Sequence, residues 1–378
     1  MKLLVEKARE RTRIFAGTER GASSADRLQL DGRHVAYLLN TCFWASMRPE
    51  GGRPARGEFT IVDRTVPGGL RFTEPVIVSQ ESVVHLSPGL GSGLAAVDLS
   101  AEDMPQIWGV LEAAPPWQPV IHVIGPAHLA VSLDREVLGV IRGGEIQLVK
   151  SGPYSLANLV APIIDRTDAA PSPDRLARVE QLFRILASVE RNGQGGTVLV
   201  APTGQNGWAE ALRFRYTMDE RSTGFARGRL GDLDDPAGED GESAGRASSA
   251  TRPSRPRSLL VDLSQRLLAQ IAQLAAIDGA VVLGDDLSLV GFGASVTLPA
   301  EDFTLSHADA VSGLLGHGRP ITSLPWSDEG GAGRFVRRYP DCLGFQVSRD
   351  GAICLFAWGG PDRRLVALTG VQDLLTEY

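Results

Sequence analysis

An aspartate beside a glycine stands where the chain could bind a nucleotide or a metal ion. The stretch "AAIDGAVVLGDDLSLVGFGASV", residues 275–296, reads as a buried strand, a tight turn and a second strand, with Asp278 just before the first strand. Glycine lets a backbone approach a ligand closely, and a carboxylate can hold a cation. The alternative is a turn from helix to strand in which Asp278 is only a cap.

Other candidate functional residues give weaker evidence for a site. The six histidines never stand at metal-ligand spacing on one helix, and the three cysteines lack the paired spacing of a zinc site or disulfide framework. "PGLGSGL", residues 88–94, lacks the spacing of a dinucleotide loop and is interpreted as a turn. "HGRPITSLPW" offers His317, Arg319 and Trp326, which either stack on a base or form a surface loop.

Composition limits the partners and the compartment. The 378 residues are enough for two or three domains, and the net charge of −7, without a Lys/Arg stripe, argues against a nucleic-acid partner. No segment is apolar over the roughly 18 residues that a membrane helix needs, and the first residues do not form a signal peptide. We therefore expect a cytoplasmic protein that does not bind membranes.

The first part of the chain predicts a β-rich α+β domain over residues 1–150. Residues 1–48 look helical, and "DGRHVAYLLNTCFWASM" repeats apolar residues at intervals of three and four. From about 58 to 150 the pattern predicts short strands, among them "PVIVSQESVVHLSP", residues 75–88. A connector follows over residues 151–172.

The second part predicts a mixed β-sheet flanked by helices over residues 173–378, so the fold class is α/β. A helix begins at Ser172-Pro173 and ends at Gly193, and "TVLVA" follows as a buried strand. Residues 223–257 are rich in Gly, Ser, Pro and charge and are expected to be a disordered insertion. A long helix then leads into Asp278, and two or three strands end the chain; ligands of such sheets sit at strand ends.

Three segments in this order resemble the catalytic domain of diadenylate cyclases, which join two ATP molecules into cyclic di-AMP. They are "NGQGGTVLVAPTG", then "IDGAVVLGDDLSLVGFGASVTLP", then "YPDCLGFQVSRDGAICLF". The N-terminal half, especially "FWASMRPEGGRP" and "IWGVLE", is similar to a DACNV-like sensor domain found ahead of such cyclases in bacteria.

The resemblance implies a nucleotide site. In the family the Asp-Gly-Ala segment holds the adenosine end of ATP, and its aspartate binds the Mg²⁺ or Mn²⁺ that activates the attacking 3′ hydroxyl. Carried over to this chain, the implied nucleotide-binding residues are Asp278, Gly279, Ala280, Gly293, Leu298 and Ser348, with Asp278 as the catalytic and metal-binding residue if the domain is active.

The family's phosphate-binding motif, Gly-Thr-Arg-His-Arg, is not retained. Counting back from a strand expected to begin at Asp341, its place is taken by Ser327, Asp328, Glu329, Gly330 and Gly331. Two carboxylates would repel a triphosphate that two guanidiniums would bind. Arg334, Arg337 and Arg338 could compensate if the alignment shifts. If the alignment holds, Asp328 and Glu329 should approach Asp278.

Three hypotheses follow. The first is a nucleotide-binding sensor or regulatory protein, a pseudoenzyme with a degenerate cyclase-like domain that binds ATP or a cyclic dinucleotide. The second is an active diadenylate cyclase with a rearranged phosphate site. The third is a structural, partner-binding protein without a nucleotide. Because family cyclases work as face-to-face pairs, a homodimer or heterodimer through the C-terminal domain is also expected.

Overall fold

The structure is a computed structural model in which the chain divides into two compact units, with the division in the sequence between Lys150 and Ser151. It describes residues 32–49, 55–66, 68–90, 93–99, 104–115, 118–134, 136–164, 173–204, 207–218, 266, 268–299, 301, 303–320 and 331–376. The predicted helical segment 1–31, the insertion 223–257 and most of the long helix before Asp278 lie outside these residues. Within the described residues, no helix is long and apolar enough to cross a membrane.

The first unit contains two helices and eight strands. They are α1 (Gly32–Ser46), β1 (Gly57–Ile61), β2 (Leu70–Ile77), α2 (Gln80–Leu90), β3 (Leu94–Asp98), β4 (Gln106–Leu111), β5 (Pro119–Gly125), β6 (His128–Leu133), β7 (Glu136–Arg142) and β8 (Glu145–Leu148). The strands form one sheet in the order β2-β4-β3-β1-β5-β6-β7-β8. Only β1 and β3 are parallel, because α2 lies in the connection between them.

The helices cover one face of this sheet. Leu38 and Cys42 of α1 are fully buried together with Phe59 of β1 and Ile121 of β5. The spacing of three and four that predicted α1 therefore corresponds to the stripe that α1 buries.

One strand prediction is wrong. Of residues 75–88, only the first three belong to β2, and Gln80–Leu90 is the helix α2. The reason is a reciprocal cap at the start of the helix: Ser79 Oγ accepts from the Ser82 amide at 3.1 Å, and Ser82 Oγ accepts from the Ser79 amide at 2.8 Å. These bonds satisfy two of the orphan donors of the first turn, which outweighs the strand preference of Val83 and Val84.

The second unit contains four α-helical segments and ten strands within the described residues. They are α3 (Leu156–Val160), α4 (Pro173–Arg191), β9 (Gly196–Ala201), β10 (Leu212–Arg213), β11 (Tyr216–Thr217), β12 (Ala280–Gly284), β13 (Leu289–Val296), β14 (Thr304–Asp309), β15 (Leu315–Pro320), α5 (Gly331–Arg338), β16 (Leu343–Val347), β17 (Ile353–Gly359) and β18 (Arg364–Thr369). Residues 268–274 are also helical. The short helix α3 lies in the predicted connector, and Leu159 packs in the core of this unit.

The ten strands form a mixed sheet in the order β10-β13-β12-β9-β16-β17-β18-β14-β15, and β11 also pairs with β13. The pairs β9–β12 and β14–β18 are parallel, and the others are antiparallel. Alternate residues of β9 enter two cores: Val198 packs with Leu182 of α4, and Leu199 packs with Phe335 of α5. The unit is therefore a sheet between two helical layers, which confirms the predicted α/β class.

Two reversals of the chain lie where the sequence predicts them. Gly193 adopts φ 65° just after α4, the left-handed conformation that favours glycine at a helix end. Strands β12 and β13 form the predicted hairpin around residues 285–288. The strand expected at Asp341 begins instead at Leu343, because α5 and a turn occupy the preceding residues.

A half-buried histidine in the first unit, His128, makes stability depend on pH. Burial, and then the positive charge of Arg142 on the neighbouring strand, lower the pKa of His128 from 6.5 to about 4. Since the folded pKa lies below the unfolded value, His128 contributes stability above pH 6.5 that is lost as the pH falls toward 4.

The melting temperature of His128→Gln should therefore fall less than that of the wild type between pH 7 and pH 5. His85→Gln, which changes an exposed histidine, should behave as the wild type; equal slopes in all three proteins would refute this assignment.

Candidate functional site

The predicted nucleotide-binding residues lie near one edge of the second sheet, where strands β9 and β12 begin. The first residues of β9 and β12 lie there because these strands are parallel, and the last residues of β13 and β16 lie there because they are antiparallel to their neighbours. Cross-strand partners form one row near this edge: Ala294, Ala280, Thr197, Gln346, Cys354, Thr369 and Asp309. We call the border next to this row the Asp278 edge.

Asp278 and Ser348 flank the middle of this edge. Asp278 comes two residues before β12, and Ser348 comes directly after β16. The start of β9, at Gly195 and Gly196, lies between them. Two strand spacings correspond to about 10 Å, which a bound nucleotide can span.

The carboxylate of Asp278 is free to meet a ligand. The residue is exposed, and among the described residues none forms a hydrogen bond or ion pair with it. Residues 268–274 are helical and β12 begins at Ala280, so Asp278 lies in the turn from helix to strand that both interpretations predict.

Two glycines bring the backbones of β12 and β13 into close contact beside Asp278. Gly279 has φ 108°, and a Cβ there would lie 2.6 Å from the carbonyl carbon of Gly293. Gly293 has φ 63°, and a Cβ on it would lie 3.1 Å from Cβ of Arg215, 3.6 Å from the Asp278 carbonyl oxygen and 3.7 Å from the Tyr216 ring. Arg215, Tyr216 and the main chain of Asp278 therefore lie around Gly293, and we call this place the Gly293 notch.

Tyr216 presents an aromatic surface at this notch. Its ring stacks on Phe292 with centroids 4.7 Å apart, and half of the residue is exposed, at 50%. Arg215, the preceding residue, is exposed. An exposed ring can stack on a base, and a guanidinium can bind phosphate oxygens.

Neither Arg215 nor Tyr216 was among the residues predicted from the sequence. The run "RFRYT", residues 213–217, is the signal that could have found them, since cationic and aromatic residues alternate in it. Thr197 and Gln346 were not predicted from the sequence either. Thr197 Oγ1 donates a hydrogen bond to Gln346 Oε1 at 3.0 Å, in the row next to the edge.

The Ser348 hydroxyl forms its hydrogen bonds within its own turn. Its hydroxyl accepts from the Ala352 amide at 3.0 Å and donates to the Asp350 carboxylate. This hydrogen bond lowers the pKa of Asp350. Ser348 therefore closes the hairpin between β16 and β17, and a ligand would meet the hairpin rather than a free hydroxyl.

Three further residues that were predicted to bind the nucleotide are less accessible than Asp278. Ala280 and Gly293 are buried, and Leu298 packs partly buried against the core that α5 covers. A ligand would meet the exposed residues beside them.

The replaced phosphate motif is described at its last residue only. Ser327, Asp328, Glu329 and Gly330 lie outside the described residues, so the expected approach of the two carboxylates to Asp278 stays a prediction. Gly331 begins α5 and lies directly against Val296, the last residue of β13. The start of α5 is therefore at the Asp278 edge.

The arginines that were expected to compensate diverge from this edge. The Arg337 guanidinium lies 4.6 Å from the Phe303 ring centroid and 3.7 Å from Glu301, and Arg338 lies over the Tyr339 ring at 5.9 Å. Phe303 precedes β14, whose last residue, Asp309, belongs to the row at the Asp278 edge. A strand of this length spans about 17 Å, so Arg337 lies near the opposite edge. Arg334 is half-buried within α5.

A metal ion at this edge would have one described ligand. The described residues contain no group of three or more His, Cys, Asp or Glu side chains that could hold an ion. Mg²⁺ commonly binds one or two carboxylates together with substrate phosphates and water. Asp278 thus fits as one ligand of an ion that a nucleotide brings with it.

Residues 30–112 match the family described as "Probable sensor domain DACNV". This match spans α1 to β4, so it includes both helices and four neighbouring strands of the first sheet. No curated protein and no solved structure matches the chain. The first unit therefore contains a segment similar to a sensor domain, which is consistent with a sensor or regulatory role.

Substitution of Gly279 tests the notch. Gly279→Ala should lower the free energy of unfolding by roughly 2 kcal/mol or more, because the new Cβ meets backbone atoms and the left-handed φ is strained. Gly152→Ala is the matched control, since a Cβ there meets nothing within 4 Å. Urea unfolding of both variants measures the difference. Equal stability of the two variants would mean that the backbones of β12 and β13 are not held together as described.

Proposed function

We propose that this chain is a nucleotide-binding sensor or regulatory protein, whose second unit binds ATP or a cyclic dinucleotide at the Asp278 edge. The observation that carries the proposal is the Gly293 notch, where the exposed Tyr216 ring, Cβ of the exposed Arg215 and the main chain of the exposed Asp278 lie around one glycine. The similarity of residues 30–112 to a sensor domain supports the regulatory part.

The chemistry of the notch suits a nucleotide. Tyr216 can stack on a base, Arg215 can bind phosphate oxygens, and the Asp278 carboxylate can accept from ribose hydroxyls or hold a metal ion. The two glycines let the main chains around β12 and β13 approach each other closely, which brings the backbone of Asp278 near Arg215 and Tyr216. Thr197 and Gln346 add polar groups on the neighbouring strands.

Binding without turnover is favoured over an active cyclase. Phosphoryl transfer depends on cations that neutralise the charge developing at the phosphates. The replaced motif carries Asp328 and Glu329 where the family has arginines, and Arg337 lies near the other edge. We therefore infer that the cyclase-like domain is degenerate.

Calorimetry with Asp278→Ala tests the binding proposal. Titration of the full chain with ATP and Mg²⁺, and separately with cyclic di-AMP, should show saturable binding. Asp278→Ala should weaken it about tenfold or more, because a hydrogen bond to a charged group is lost. Its melting temperature should stay within a few degrees, since an exposed carboxylate contributes about 0 to 1 kcal/mol.

Glu145→Ala, which removes an exposed carboxylate from the first unit, is the control and should bind as the wild type. Equal affinities of Asp278→Ala and the wild type would contradict the site. The absence of saturable binding in the wild type would favour the partner-binding hypothesis instead.

A turnover assay separates the sensor from an active enzyme. Purified protein incubated with ATP and Mg²⁺ or Mn²⁺ should produce less than one cyclic di-AMP per protein molecule. Multiple turnovers, abolished by Asp278→Ala, would overturn the degenerate assignment while leaving the nucleotide site in place.

A further inference from the structure

A second cleft lies at the edge of the sheet opposite Asp278. It has a volume of about 310 Å³, and its lining includes Phe303, Ser306, Arg337, Trp358, Arg363 and Arg364. The end of β17 and the starts of β18 and β14 form its floor. Because Cys354 and Thr369 pair at the other ends of β17 and β18, the length of these strands separates the cleft from the Asp278 edge.

Three guanidinium groups line this cleft. Arg337 lies 3.7 Å from Glu301 and Arg364 pairs with Asp362, and both arginines remain partly exposed, at 43% and 42%. Exposed ion pairs of this kind contribute little, and a guanidinium has five N–H donors, so both side chains keep donors for a ligand. Three arginines against two carboxylates leave an excess of positive charge.

The backbone holds the third arginine in an uncommon conformation. Arg363 has φ 42°, in the left-handed region that non-glycine residues rarely adopt. A tight turn fixes it there, since the Arg363 amide donates to the Gly360 carbonyl oxygen at 3.2 Å. Such strain costs about 1–3 kcal/mol and is concentrated at functional sites.

The same cleft offers two aromatic surfaces. The Trp358 indole N–H donates to the Val336 carbonyl oxygen at 2.8 Å, which fixes the orientation of its half-buried ring. The Arg337 guanidinium lies over the Phe303 ring, 4.6 Å from the ring centroid. A ligand here would meet apolar ring faces and cationic donors together.

We propose that this cleft binds a phosphate-bearing small molecule of mononucleotide size, with its phosphates on the three arginines and its flat moiety against Trp358. Its volume lies at the lower end of the roughly 300–1,000 Å³ typical of ligand pockets. The arginines can neutralise phosphates without a metal ion, in contrast to Asp278. The cleft is thus a metal-independent site that the resemblance to cyclases does not imply.

Titration of the full chain with ADP in EDTA tests the proposal. Calorimetry should show saturable binding, and ADP should change the fluorescence of Trp358. Arg363→Gln and Arg364→Gln should each weaken binding about tenfold or more, because each removes a charged donor to phosphate. Trp358→Phe should abolish the fluorescence change.

Arg338→Gln is the matched control, because Arg338 carries the same charge on α5 but does not line the cleft. Its affinity for ADP should lie within about twofold of the wild-type affinity, well below the tenfold weakening expected for Arg363→Gln and Arg364→Gln. No saturable binding in EDTA, or equal weakening by Arg338→Gln and Arg364→Gln, would overturn the proposal. Loss of binding in Asp278→Ala with retention in Arg364→Gln would also overturn it, since the ligand would then belong to the other edge.

Discussion

The contact between the backbones of Gly279 and Gly293 is the constraint on which the candidate site depends. Strands β12 and β13 meet there with no room for a Cβ, so Asp278, Arg215 and Tyr216 surround one notch. Neither residue could be replaced without moving a strand, because both have left-handed φ values and lie against main-chain or Cβ atoms. The chemistry at this edge is thus set by two residues that carry no functional group.

The order and direction of the strands explain why the two edges of the second sheet present different side chains. β9 lies between a parallel and an antiparallel partner, so the starts of some strands and the ends of others share one edge. The Asp278 edge presents an exposed carboxylate and an aromatic ring, whereas the opposite edge presents three arginines and a tryptophan. Arg337, which could have compensated at the first edge only if the alignment shifted, belongs to the second because α5 runs from one edge toward the other.

Local patterns predicted the elements better than they predicted the site. Alternation and the turn at residues 285–288 were enough for the hairpin of β12 and β13, and apolar spacing was enough for α1. Helix α2 was missed because a serine cap outweighed β-branched residues. Arg215 and Tyr216 were missed because their place at the site depends on the pairing of β11 with β13, a strand far along the chain.

Hydrogen–deuterium exchange with and without ATP and Mg²⁺ tests the central claim most directly, because it locates the ligand on the main chain. The account predicts slower exchange in the amides of residues 278–280, 293–296 and 214–217, which border the Gly293 notch, and unchanged exchange in strands β5 to β8 of the first unit. Protection confined to other segments, or none at a nucleotide concentration that saturates binding, would contradict a nucleotide site at the Asp278 edge.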